Sequence, residues 1–296
     1  MSKITYVQKR FGEKALERIA QVNGIIVEYL AQGFKLTLRQ LYYQLVARAL
    51  IPNTVQSYKG LGEVVNDGRL AGLIDWDAIE DRTRNLQSGS HWSSPHSIVR
   101  ACAGQYAVDL WEGQENYVEV WVEKEALIGV LEGVCIELDV PYFACKGYTS
   151  QSEMWGASQR LIGREEAGKR TIIIHLGDHD PSGIDMTRDI QDRLNLFGST
   201  VHIQRIALNF DQVDNLPPNP AKVTDSRYEG YRALYGDESF ELDALEPRVI
   251  VGLIQDTVDD LIDTDLWQEA VARQQLGRDQ LGKVSKRWQD VVDFLG

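Results

Sequence analysis

The chain has 296 residues, 43% of them hydrophobic and 25% charged, the proportions of a soluble globular protein with core enough for one large domain or two ordinary ones. No apolar run approaches the roughly 20 residues of a membrane span, which excludes a helical membrane protein. The net charge of −13 is uneven: residues 1–110 hold 13 Lys/Arg against 10 Asp/Glu, and residues 111–296 hold 18 against 34. Long-range attraction for a polyanion therefore belongs to the first part, and acids able to gather around a metal belong to the second.

The opening stretch MSKITYVQKRFGEKALERI is charged and lacks the apolar core of a secretory signal. Cys102, Cys135 and Cys145 form no CxxC pair, which argues against a zinc site or disulfide framework and for a reducing, cytoplasmic setting. Leu16, Ile19, Val22, Ile25, Ile26, Tyr29 and Leu30 recur at helical spacing and predict a helix over 13–31. A second helix is expected over about 37–50, with Thr37 as N-cap, and a third over 57–73 after the Pro52-Asn53 turn. LIDWDAIED suggests a short strand or wing. Three helices with a small β element resemble a winged-helix DNA-binding module occupying residues 1–110. NLQSGSHWSSPH (85–96) predicts a long loop, and a helix at about 97–110 bridges to the second domain.

From residue 117 the pattern changes. YVEVWV (117–122), VPYFACK (140–146), TIIIHLG (171–177) and VHIQRIAL (201–208) read as strands. Helices near 125–138, 151–163 and 183–196 separate them. This alternation predicts an α/β domain over 111–296, with a four-stranded parallel sheet flanked by helices. LPPNP (216–220) reads as a turn or connector, and 246–263 and 265–293 as two further helices.

Ligands of an open parallel sheet bind outside the carboxyl ends of its strands. Glu123 directly follows the first strand, and Asp178 and Asp180 follow the third. Three converging carboxylates repel one another unless a cation is present, and oxygen donors of this kind suit Mg2+. Each acid alone also makes sense as a helix cap, Asp180-Pro181-Ser182-Gly183 above all. On α-helical geometry Leu38, Leu41, Tyr42, Leu45 and Ala49 form one stripe of the second helix. Tyr43 falls about 140° from its centre with Arg39 one turn below, so Tyr42 is expected to be buried and Tyr43 to face outward. His175 and His179 flank the acidic strand end; His175 reads as sheet packing and His179 as a candidate ligand contact. Arg69, Arg82 and Arg84 suit either DNA phosphates or a solvated face.

Glu123-Lys124-Glu125-Ala126, then Lys146-Gly147-Tyr148, then Asp178-His179-Asp180-Pro181-Ser182-Gly183 resembles a Toprim domain, and specifically that of the topoisomerase VI A subunit and its meiotic double-strand-break relatives. The middle motif departs from the family, with Thr149 and Ser150 where the family has Pro and Asp. Arg39-Gln40-Leu41-Tyr42-Tyr43 resembles the family's Arg-x-x-(Tyr/Phe)-Tyr, which carries its nucleophile on a winged helix. The resemblance spans roughly residues 30–190. It implies Mg2+ held by Glu123, Asp178 and Asp180, Glu123 as general acid or base, Tyr43 as nucleophile, and Arg39 beside it. It further implies double-stranded DNA as substrate and a homodimer in which the tyrosine of one subunit meets the acids of the other. Strand passage would require an ATPase partner subunit, since the chain has no GxxxxGK[ST] loop. The rival expectations are a Toprim nuclease that uses water and leaves Tyr43 idle, and a non-catalytic DNA-binding module.

Overall fold

The computed structural model describes residues 3–79 and 91–295. Helix α1 (Glu13–Leu30) buries Ile19, Val22, Ile25, Ile26 and Tyr29, the helical stripe visible in the sequence. It packs on α2 (Leu38–Ala47) and α3 (Val55–Leu70). Thr37 caps α2 in a reciprocal box: its hydroxyl accepts from Gln40 N at 3.2 Å, and Gln40 Oε1 accepts from Thr37 N at 2.9 Å. The LIDWDAIED stretch gives a 3-10 turn at Trp76–Ala78 and one parallel bridge from Ile79 to Leu36. Arg69 braces this turn by donating to the carbonyls of Trp76 (3.0 Å) and Ile79, so its guanidinium is already engaged. Arg82 and Arg84 lie outside the described residues.

Helix α4 (Pro95–Gln105) lies along the C-terminal α10 (Thr264–Lys286), where His96 Nε2 sits 3.0 Å from the Ser285 carbonyl oxygen. The α/β part follows the expected alternation: β1 (Asn116–Val122), α5 (Ile128–Glu137), β2 (Tyr142–Ala144), α6 (Gln151–Glu166), β3 (Arg170–Leu176), α7 (Pro181–Leu196) and β4 (His202–Ala207). The pairings among these four strands are all parallel, in the order β2-β1-β3-β4, with Val118 opposite Ile172 and Val120 opposite Ile174. One face (Val118, Val120, Val122, Ile172, Ile174) is covered by α5 and by α9 (Pro247–Asp259). The other face (Tyr117, Trp121, Ile173) is covered by α6 and α7. Burial on both faces explains why β1 and β3 read as nearly continuous apolar runs. The charged exception, Glu119, is 2% exposed and is met by Arg160 Nε (2.8 Å) and Nη2 (2.9 Å), Tyr117 OH and Trp121 Nε1.

Between β4 and α9 the elements carry no clear sequence signal. The chain there forms a short antiparallel pair, β5 (Asn219–Pro220) with β6 (Glu238–Ser239), around α8 (Tyr228–Tyr235), and then a 3-10 turn at Leu242–Ala244. LPPNP thus ends in a strand. The long helix expected at 265–293 is two, α10 and α11 (Trp288–Leu295). Among the described residues no helix is long and apolar enough to cross a membrane.

Candidate functional site

The carboxyl edge of the sheet collects the acids as expected. Glu123 leaves β1 and turns back so that its Oε2 accepts from the Asp178 backbone N–H at 2.8 Å. Asp180 is the N-cap of α7, its Oδ1 accepting from Gly183 N (2.6 Å) and Ser182 Oγ (3.0 Å). The capping role is therefore real, and among the described residues Oδ2 has no protein donor. Gly183 is demanded by this turn: a Cβ there would collide with the Asp178 carbonyl oxygen.

Asp178 is oriented differently. Its Oδ1 accepts from Leu242 N at 2.7 Å and pairs with Lys124 Nζ at 2.7 Å. Lys124 also pairs with Glu241 and lies 3.7 Å from Asp243 Oδ2. Arg39, reaching across from α2, holds Glu241 at 2.6 Å and Asp243 at 2.8 Å. Two cations and three carboxylates thus run unbroken from α2 to the sheet edge, and the sequence reading identified neither Glu241 nor Asp243. Their placement comes from His179, whose backbone N–H and C=O each bond Phe240 at 2.9 Å. His179 is 1% exposed, with Nδ1 2.7 Å from Tyr231 OH and its ring among Phe210, Tyr231, Tyr235 and Phe240. It anchors the acidic segment from within an aromatic box.

Burial raises the Glu123 carboxyl above the usual range; neighbouring Asp180 adds to this, while the Asp178 N–H, Lys124 and Arg205 oppose it. Burial raises Asp178 as well, against the pull of Lys124. Arg205 of β4 is a third residue that sequence reasoning missed. Its guanidinium donates to the carbonyls of Gly177 (2.9 Å), Asp178 (2.7 Å), Gly183 (3.0 Å) and Leu208 (3.1 Å), clamping the loop that carries both aspartates.

Do these residues fit a divalent cation? Among the described residues no group of three His, Cys, Asp or Glu is arranged to hold one. Asp180 nevertheless adds to the charge cost of Glu123, and among the described residues each keeps one carboxylate oxygen without a protein donor, the chemistry a hard cation satisfies. Asp178 can join them only by exchanging Lys124. The donor set fits at two residues and is latched at the third.

The tyrosine is placed otherwise than expected. Tyr42 is buried, its hydroxyl donating to Asn53 Oδ1 at 2.9 Å, but Tyr43 is also buried, at 6% exposure. The stripe geometry sees one packing face of α2, whereas the turn at Leu242–Ala244 and β5 cover the opposite face. Arg39 lies 5.8 Å from the Tyr43 ring centre, as the one-turn spacing implied. Burial, then Glu241, pushes the Tyr43 phenol up to about 12; Arg39, Lys124 and a hydrogen bond from the Asn219 side chain oppose the shift. Tyr43 still meets an open space. It lines a cleft of about 450 Å³ together with Arg39, Asp180, Asn219 and Glu241 of the same chain.

His175 is fully buried, with Nδ1 2.9 Å from Thr187 Oγ1 and Nε2 without a partner. Burial, helped by Arg205, holds its pKa down to about 3, against about 6.5 in an unfolded chain. The unfolded state therefore binds the extra proton first, and stability is lost as pH falls from about 6.5 towards 3. By pH 4.5 the loss from this group is on the order of 2 kcal/mol. His175→Gln is expected to flatten the acid limb of stability in urea titrations at pH 7 and 4.5.

The fold and its acid edge define a mixed α/β protein with an open parallel sheet and a carboxylate-rich crevice at the carboxyl ends of β1 and β3. Comparison with protein-family models, curated proteins and solved structures finds no match for this chain.

Proposed function

We propose that the chain is a Mg2+-dependent DNA-cleaving transesterase of the topoisomerase VI A type, with residues 1–110 as a winged-helix-like DNA-contacting module and 111–296 as a Toprim domain with a helical extension. One observation carries this reading: Tyr43 and Arg39 of α2 share a cleft with Asp180 and Glu241 at the sheet edge. In the reaction, Tyr43 Oη bonds to a backbone phosphorus while the bond from that phosphorus to one sugar oxygen breaks. The phenolic proton leaves to solvent, and the departing oxygen takes a proton. Glu123 suits that donation, because burial and Asp180 keep its carboxyl protonated further towards neutral pH than an ordinary glutamate. Arg39, beside the Tyr43 ring, favours the phenolate as its charge develops. A divalent cation bound by Glu123 and Asp180, with Asp178 once Lys124 yields, would supply charge neutralisation at the phosphate.

A water-using Toprim nuclease is the second reading, favoured by the burial of Tyr43 and the raised pKa of its phenol. Double-stranded DNA is the proposed substrate in both. Tyr43, Asp180 and Glu241 line one cleft within the chain, and the mixing experiment below distinguishes a tyrosine that works in cis from one that works in trans. The proposal includes a homodimer in which the tyrosine of one subunit meets the acids of the other, and an ATPase subunit as the partner for strand passage.

The test is supercoiled DNA incubated with Mg2+ and opened with denaturing detergent before electrophoresis. Wild type is expected to leave breaks with protein attached, and Asp178→Ala to leave none. Mixing Asp178→Ala with Tyr43→Phe protein restores nothing if the site works in cis, and restores cleavage if the tyrosine works in trans. A wild-type protein that never breaks DNA refutes both enzymatic readings.

A further inference from the structure

We infer that the cleft between the start of α3 and the β5–β6 pair seats one unstacked nucleotide of the substrate strand, its base against Tyr58 and its phosphate toward Lys222. The inference rests on the DNA-cleaving reading for the identity of the polymer, and on the cleft itself for the rest. A volume of about 450 Å³ lies within the roughly 300–1,000 Å³ of pockets that take a small ligand. A duplex cannot enter such a space, but a single extruded nucleotide can.

The lining sorts into the three kinds of group a nucleotide needs. Tyr58 supplies an aromatic platform: it is 37% exposed, while its ring is held edge-on to Tyr42 at 5.2 Å, so it is both open and fixed. Lys222 supplies a cation, and among the described residues its ammonium makes no ion pair or hydrogen bond, unlike Arg39, which is already engaged by Glu241 and Asp243. The first turn of α3 adds to the positive potential at the same wall. Thr54 Oγ1 accepts from Ser57 N, and among the described residues the N–H groups of residues 55 and 56 keep no acceptor. Polar positioning comes from a short amide chain, in which Tyr42 OH donates to Asn53 Oδ1 and Asn53 Nδ2 donates to Asn219 Oδ1 at 2.5 Å. The Asn219 side chain in turn bonds the Tyr43 hydroxyl. Since Tyr43 and Asp180 line the same space, a nucleotide held here is contiguous with the phosphate that Tyr43 attacks.

The experiment is equilibrium binding of the full chain, in EDTA so that no cleavage intervenes, to a short oligothymidine carrying one 2-aminopurine, single-stranded or within a perfect duplex. Wild type is expected to prefer the single strand and to quench the 2-aminopurine as it stacks. Tyr58→Ala is expected to weaken binding by roughly 5- to 150-fold and abolish the quench, while Tyr58→Phe keeps both. Lys222→Ala is expected to weaken binding and to reduce the salt slope by about 0.7, the share of one phosphate contact on a single strand. A wild-type protein that does not quench, or a Tyr58→Ala protein that binds and quenches like wild type, overturns the inference. Quenching that depends on Tyr58 in a protein that never cleaves DNA upholds the nucleotide seat and sinks the transesterase. Covalent cleavage with unaltered 2-aminopurine emission does the reverse.

Discussion

Tyr43→Phe is expected to lower Mg2+-dependent cleavage by about 10⁴-fold or more and to remove every covalent protein–DNA product while the fold persists, because no neighbouring group replaces a missing nucleophile. Phenylalanine fills the same buried volume, so the packing of α2 against the Leu242–Ala244 turn is kept. What disappears is the hydroxyl and its bond from Asn219, at a stability cost of about 1 kcal/mol. The phenol is a poor nucleophile at rest, its pKa held up to about 12, so the hydroxyl must lose its proton as the new bond forms. Detergent-treated cleavage gels beside a thermal melt check this. Cleavage at the wild-type rate by a folded Tyr43→Phe protein would make water the nucleophile.

Lys124→Met is expected to cost about 3–5 kcal/mol in EDTA, the usual penalty for stripping a buried charge cluster of its partner. Lys124 sits between Asp178, Glu241 and Asp243, and without it Glu241 and Asp243 keep Arg39 while Asp178 loses its ion pair. Millimolar Mg2+ should then raise the melting temperature of the variant by more than it raises that of wild type, because the cation takes the charge that Lys124 balanced. This thermal shift reads the acid edge independently of any DNA chemistry. A variant that melts like wild type in EDTA and ignores Mg2+ would show that the carboxylates need neither cation.

The sheet was legible because β1 and β3 are buried on both faces and so announce themselves as apolar β-rich runs. Glu123, Asp178 and Asp180 were legible because position alone, directly after such a run, places a residue at the carboxyl edge. Glu241 and Asp243 carry no local signal: they reach the edge through the distant His179–Phe240 pairing and the aromatic box around His179. Arg205 is one cation in an ordinary strand, and only the folded loop shows that it clamps the aspartates. The outward placement of Tyr43 failed for a related reason. A helical stripe reports the face that meets its own domain, and α2 is also covered by a polar and charged surface from the far end of the chain. The same long-range contact brings Tyr43 to the acids, which the helix geometry could not indicate.

The most direct test of the transesterase is mass spectrometry of the protein after reaction with DNA and Mg2+, followed by nuclease digestion and proteolysis. A nucleotide adduct on the peptide carrying Tyr43, at Tyr43 itself and absent from Asp178→Ala protein, is the predicted result. DNA cut to free ends with that peptide unmodified would contradict it and leave a metal-dependent nuclease.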